Sequence, residues 1–327
     1  MIRSLALLLV LSSGVLAQEF HPSASVPNYD VPIHGHGTFA SSKFGKIYYE
    51  TEGTGPYLVL VAGGPGGDHT SFHPFFSRLA ANHTVVYFDS IGRGRSDRLK
   101  DLKQYTVQRD AEDVEALRIA LKQDKIDVLG HSYGGMPAMA YALKYPEHVA
   151  HLIVSDSLHS ADGFQENIDS CNYNVSHQYP DVWAKLVAMH DKGVKSGSQE
   201  YEELYGSAMM DMYWFDDNHG NLMFHSGDKG GFNEDIYLTM LGDDPEIKVG
   251  GTMKGYDPRP KMKNLHVPVL ICVGRYDRVA IPKAALEMKN CLPAESSQIA
   301  YFEHSGHRPW VEETDAYFKT VGDFLGK

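Results

Sequence analysis

The sequence predicts an α/β protein built on a doubly wound, mainly parallel sheet with an inserted helical cap. Three observations predict it. Short apolar runs suited to strands buried on both faces recur along the chain, helical patterns alternate with them, and one long polar and aromatic stretch breaks the alternation.

The elements follow in order. Lys46-Ile47-Tyr48-Tyr49 and Tyr57 to Val61 read as strands, the second continuously apolar. Thr84 to Phe88 is a third strand, and Asp113 to Leu121 carries Val114, Leu117 and Leu121 at helical spacing. Ile126 to Leu129 is a strand, Met136 to Leu143 an Ala- and Met-rich helix, and His151 to Val154 a strand. From Leu158 to Lys263 no strand recurs on schedule and helical patterns dominate, with Trp183, Tyr201, Tyr205, Tyr213 and Trp214 among many aromatics. Val267 to Ile271 then resumes the buried-strand pattern, followed by a helix at Lys283 to Asn290, a strand at Gln298 to Phe302 and one final helix from Val311 to Leu325. Strand–helix alternation requires crossover connections and hence a parallel sheet. The predicted core is therefore residues 18–157 and 264–327, with the cap at 158–263. Residues 18–35, with Pro22, Pro27 and Pro32, read as an extended lead-in.

The chain starts with Arg3, an apolar run from Leu5 to Leu11, and small residues ending in Val15-Leu16-Ala17. That pattern predicts a signal peptide over residues 1–17 and a secreted or periplasmic protein. The run falls short of the roughly 20 residues a membrane span needs, so no membrane association is expected after cleavage. The formal net charge of −12, from 42 acidic against 30 basic side chains, repels phosphate backbones and argues against nucleic acid as a partner. Of the three cysteines, Cys272 reads as a buried core thiol, and Cys171 with Cys291 is a possible bridge.

Chemistry concentrates at Gly130-His131-Ser132-Tyr133-Gly134-Gly135, which follows a strand directly and precedes a helix. This is the context a G-x-S-x-G nucleophile elbow needs: small residues let the chain reverse sharply and lift the Ser132 hydroxyl above the sheet. A serine hydroxyl is a poor nucleophile without a base. The expected order of nucleophile, acid, histidine is met by Asp277 in Gly274-Arg275-Tyr276-Asp277 and His307 in His304-Ser305-Gly306-His307. Each follows a strand, where sites of open α/β sheets gather. Asp277 would hold one nitrogen of His307 so that the other faces Ser132. His304 closes its strand and His131 points away from the elbow, so both read as structural. The loop Gly63-Gly64-Pro65-Gly66-Gly67 follows an early strand, and its Gly64 N–H with that of Tyr133 forms the expected oxyanion hole. There is no H-E-x-x-H, no paired C-x-x-C and no Walker lysine, so no motif supports a metal or a nucleotide, and no cofactor is expected.

These residues resemble the proline iminopeptidases within the α/β-hydrolase superfamily. The glycine loop, Asp89-Ser90-Ile91-Gly92-Arg93-Gly94-Arg95-Ser96-Asp97, Val107-Gln108-Arg109-Asp110 and Gly251-Thr252-Met253-Lys254-Gly255-Tyr256-Asp257 carry the resemblance, as do the acid and histidine motifs. It implies release of an amino-terminal residue, often proline, from short peptides, without metal or cofactor. It also implies that cap acids hold the substrate's free ammonium group. Glu246 matches one such acid in place, and Glu203 is the candidate for a second. Two positions depart: Ala62 stands where the family has His, and Ser90 where it has Gln. Both leave the triad intact and leave the preference for proline open. A carboxylesterase, lactonase or amidase acting on a small apolar molecule is the alternative within the same fold. A non-catalytic binding protein is a remote one, since no triad member is missing.

Overall fold

The computed structural model describes residues 37–216 and 231–326. The expected signal peptide and lead-in lie outside the described residues. Among those that are described, no helix is long and apolar enough to cross a membrane.

The chain opens with an antiparallel pair, β1 (Thr38–Ser42) and β2 (Gly45–Gly53), followed by β3 (Tyr57–Val61) and β4 (Thr84–Phe88). Then come α1 (Val107–Ala120), β5 (Ile126–His131), α2 (Gly135–Lys144) and β6 (Val149–Ser155). Helices α3 (Ala161–Gln178), α4 (Pro180–Asp191), α5 (Gln199–Met209), α6 (Glu234–Leu241) and α7 (Arg259–Met262) lie between β6 and the next strand. The chain closes with β7 (Val269–Gly274), α8 (Pro282–Cys291), β8 (Ser297–Phe302), α9 (Pro309–Glu312) and α10 (Thr314–Leu325). Strand order is β1-β2-β4-β3-β5-β6-β7-β8, antiparallel at β1/β2 and β2/β4 and parallel from β4 onward.

Alternation along the strands sends side chains to two separate cores. Val59, Val86, Val128, Val154 and Ile271 face α1, α2 and α8, where Val114, Leu117, Met136 and Met288 meet them. Leu60, Val85, Leu129, Ile153 and Leu270 face the other side, against Phe72, Phe76, Trp310, Tyr317 and Phe324. Full burial of each such side chain contributes about 1.5–3 kcal/mol. Helices α3 to α5 have a smaller core of their own around Val175, Leu186, Tyr201, Tyr205 and Met212.

Two of the departures from expectation share one reason: buried polar contacts replace apolar periodicity. Helix α1 starts at Val107, six residues before the expected Asp113, with Thr106 Oγ1 accepting from Arg109 N as its cap. The charged side chains of Arg109, Asp110 and Asp113 in its first turns are buried. Arg109 forms a two-armed pair with Asp113 (2.6 and 2.6 Å), and Asp110 another with Arg93 (2.8 and 2.8 Å). The final helix is broken at Glu313, which has φ −120° and ψ 52°. Glu313 accepts from His304 N and Ser305 Oγ, while Glu312 accepts from the N–H groups of Gly306, Phe215 and Asp216. Both adjacent carboxylates are thus engaged by the 304–306 loop, Glu312 also by 215–216, where the helix breaks.

The possible Cys171–Cys291 bridge is not formed; all three cysteines are free thiols. Cys171 is buried in the small helical core, its sulfur against Asn167 Oδ1 (3.7 Å) and the Arg278 carbonyl (3.6 Å).

Candidate active site

Ser132 sits at the end of β5 with φ +55°, a backbone conformation that costs a non-glycine residue of order 1–3 kcal/mol unless neighbours enforce it. The neighbours do. A Cβ on Gly134 would lie 2.1 Å from the Val61 carbonyl oxygen and 2.6 Å from that of Ala62, so only glycine lets the turn pass under β3. Ser157 Oγ also donates to the Ser132 carbonyl, fixing the turn from the β6 side. Helix α2 begins at Gly135, so its N-terminal peptide dipoles converge on this corner.

Asp277 and His307 come together from β7 and β8. His307 Nδ1 is 2.8 Å from Asp277 Oδ2, and both side chains are buried. The other oxygen of Asp277 accepts from the N–H groups of Val279 and Ala280, each at 2.8 Å. A carboxylate held by two backbone donors has no freedom to rotate, so Oδ2 stays on the imidazole. The far nitrogen of His307, Nε2, is buried and makes no hydrogen bond among the described residues. His307 is itself fixed on three sides. Its N–H donates to the Tyr213 carbonyl (2.8 Å), its ring meets Tyr213 edge-on at 5.1 Å, and its carbonyl lies 3.0 Å from Nε2 of His131. His131, packed edge-on to Trp310 at 4.3 Å, is thus a support for His307. Burial pushes its pKa well below the ordinary range, so it stays neutral.

The glycine loop lies against Ser132: a Cβ on Gly63 would be 2.8 Å from Cβ of Ser132. Gly64 occupies φ +122°, and segment 231–233 packs on the loop through the Asn233 N–H to Gly66 carbonyl bond (2.9 Å). Buried Arg93 joins this loop to the elbow. Its Nε donates to the Pro65 carbonyl (2.8 Å), while its guanidinium clasps Asp110, whose Oδ2 accepts from Tyr133 Oη (2.6 Å). The two expected oxyanion donors, Gly64 and Tyr133, therefore belong to segments tied to one rigid cation. That is preorganisation of the sort that makes such a hole effective.

Glu246 is buried in the segment between α6 and α7. Tyr237 Oη donates to its Oε1 (2.6 Å), Ser196 Oγ accepts from its N–H (3.0 Å), and Asn172 holds its carbonyl (2.7 Å). Burial raises its pKa, and the Tyr237 bond partly offsets that. Its charge acts on Tyr213, the residue edge-on to His307. Glu203 is not brought there. It lies on the exposed face of α5 and, among the described residues, accepts from Gln199 Nε2 (2.8 Å). Its neighbour Glu202 is more buried, since consecutive residues are about 100° apart around the helix axis. Oε1 of Glu202 is buried without a partner, and burial together with the Glu234 carboxyl and Glu246 raises its pKa to about 8.

With the geometry in place, comparison with known proteins decides the family. Residues 56–309 match the family model for the alpha/beta hydrolase fold. The chain belongs to the α/β-hydrolase fold family. Within it, the chain resembles proline iminopeptidases over most of its length. It is 29% identical to the proline iminopeptidase of Saccharolobus solfataricus over 310 residues, 91% of this chain and 96% of that protein. The proline iminopeptidase of Mycobacterium smegmatis superposes with a TM-score of 0.72 at 20% identity, over 89% of this chain and 97% of that one. An esterase from Exiguobacterium antarcticum superposes with a TM-score of 0.61 at 22% identity, over 89% and 100% of the two chains, and shows the shared fold. As an α/β-hydrolase the chain is a hydrolytic enzyme.

Proposed function

We propose that this α/β-hydrolase is a serine aminopeptidase, releasing an amino-terminal proline or another small residue from short peptides through an acyl-enzyme on Ser132. The observation that carries the reading is Glu246, a buried carboxylate whose charge reaches Tyr213 next to His307, in a chain similar to proline iminopeptidases. A buried acid is costly unless something cationic completes it, and a peptide's free ammonium group does so.

In this reading His307 Nε2 takes the proton of Ser132 Oγ as the hydroxyl attacks the first peptide carbonyl. The oxyanion meets the N–H groups of Gly64 and Tyr133. His307 then returns its proton to the leaving amine, and water hydrolyses the ester by the same route. Glu246, with Glu202 in place of Glu203, would hold the ammonium group and so set the distance from the chain end to the cleaved bond. Residues 158–263 act as a cap bearing these acids. A signal peptide at residues 1–17 would deliver the enzyme out of the cytoplasm.

The test compares proline and alanine arylamides with their N-acetylated forms, in wild type and Glu246→Gln. One charge-assisted contact is worth about 1.5–3 kcal/mol, so kcat/KM on free amines should drop roughly 10- to 150-fold in the variant. Blocked substrates should be poor in both proteins. Equal turnover of free and blocked amides, or turnover of acyl esters alone, would remove the aminopeptidase reading in favour of an esterase.

Glu202 yields a further expectation. A carboxyl whose pKa is raised to about 8 in the folded state favours folding below its unfolded value and loses that advantage as pH climbs through 8. Glu202→Gln should therefore unfold at a higher temperature than wild type at pH 9, and with it at pH 5. Partial exposure screens the effect, so about 1–2 °C is expected. Matching midpoints at both pH values would show that Glu202 titrates as an ordinary surface acid.

A further inference from the structure

Outside the site described above, the densest cluster of ligand-type side chains lies between β2, β4 and the turn that follows the glycine loop. We propose that Glu50, His69 and His73 form a binding site for one zinc-class divalent cation, with Asp89 orienting His69.

Glu50 comes from β2, and His69 and His73 stand four residues apart across one short helical turn. All three are buried, and one ligand atom from each lies within 4.8 Å of the other two. His69 Nε2 is 3.7 Å from Glu50 Oε1, and His73 Nε2 is 3.9 Å from Glu50 Oε2. Tetrahedral zinc with bonds of about 2.0–2.1 Å needs ligand atoms roughly 3.3–3.5 Å apart, so the three side chains must draw together to complete the site. Two imidazoles and a carboxylate suit zinc and its first-row neighbours, not calcium or magnesium.

The surroundings favour a cation. Glu50 Oε2 is buried without a hydrogen-bond partner and directed at His73. Oε1 accepts from Tyr48 Oη, which in turn accepts from Arg95 at 2.7 Å. His69 Nδ1 is 2.7 Å from Asp89 Oδ1, the carboxylate–histidine contact that fixes the tautomer of a metal-bound imidazole and leaves Nε2 as ligand. His73 is held flat on Tyr87, with ring centroids 4.0 Å apart. The nearby Asp68 is a weaker ligand candidate. Its two oxygens already accept from Thr70 N (3.0 Å) and Gly231 N (2.6 Å). Asp89 is likewise spent on His69 and on Arg95 N (2.8 Å), which makes it an orienting group. Since His69 begins the turn two residues beyond Gly67, a bound cation would anchor the base of the glycine loop. It plays no part in the chemistry proposed for Ser132.

A proton is the rival occupant. Burial opposes charge on His69, yet its hydrogen bonds to Asp89 and Glu50 outweigh that and raise its pKa to about 9. The test uses full-length protein freed of metal with a chelator, reloaded with zinc or cobalt(II), desalted and analysed for metal. The expected result is one zinc per chain, a zinc-dependent rise in unfolding temperature, and the visible bands of four-coordinate cobalt. His73→Gln should lose that stoichiometric binding, and Asp89→Asn should weaken it roughly 10- to 100-fold. His190→Gln, outside the cluster, should bind as wild type. Folded wild type that retains no zinc and gives no cobalt bands overturns the proposal, and so does undiminished binding by His73→Gln.

Discussion

Ser132→Ala is expected to reduce turnover by about a millionfold, the scale seen when a triad nucleophile or base is removed. The substitution deletes a single oxygen at a position whose backbone is locked by Gly134 under β3 and by the Ser157 hydrogen bond. The fold should therefore survive, and circular dichroism and unfolding temperature should match wild type to within a few degrees. Loss of activity then reads as chemistry and not as collapse. A fluorophosphonate probe supplies an independent readout: wild type should be labelled at Ser132 and the variant should not. A variant that keeps more than about a hundredth of wild-type kcat would place the nucleophile elsewhere, because binding and an oxyanion hole alone leave a far smaller residue of catalysis.

Asp277→Asn is expected to cost about 10⁴-fold in kcat with KM little changed, by reversing the tautomer of His307. The direction follows from the hydrogen bonds. Oδ1 of Asp277 accepts from two backbone N–H groups, at Val279 and Ala280. An asparagine there must keep its carbonyl oxygen toward those donors, which turns its NH₂ toward His307 Nδ1. That nitrogen then becomes an acceptor, the imidazole proton moves to Nε2, and Nε2 can no longer take a proton. Raising the pH should not rescue the variant, since the fault is the proton's position and not its number. Near-normal kcat in Asp277→Asn would show that another group orients His307. Asp156, buried with Oδ1 accepting from Gly274 N at 2.7 Å, is the adjacent carboxyl to examine next.

Much of the architecture was legible because it is local and apolar. Strands such as Tyr57 to Val61 and Thr84 to Phe88 are buried on both faces, so their composition announces them. The first turns of α1 were not legible, because Arg109, Asp110 and Asp113 bury as ion pairs and look like surface charge in the sequence. The break before α10 escaped for a similar reason, since Glu312 and Glu313 are spent on loops that approach only in three dimensions. Glu202 and Glu203 pose the same problem in small. Which neighbouring acid faces inward depends on how α5 is rotated against its core, and two adjacent glutamates carry no mark of that rotation. The His69–His73 spacing carries no signal in the sequence, since Glu50 and Asp89 join it only in the folded chain.

By itself the sequence determined the strand–helix alternation, the elbow around Ser132, and the chain order of Ser132, Asp277 and His307. Each is a matter of neighbours along the backbone, where residue size, periodicity and turn chemistry act directly. Only the tertiary structure decided that Asp277 meets His307, that Arg93 ties the glycine loop to Tyr133, and that Glu246 and Glu202 turn inward. Those are contacts between residues far apart in sequence, and a buried charge becomes intelligible only once the fold supplies its partner.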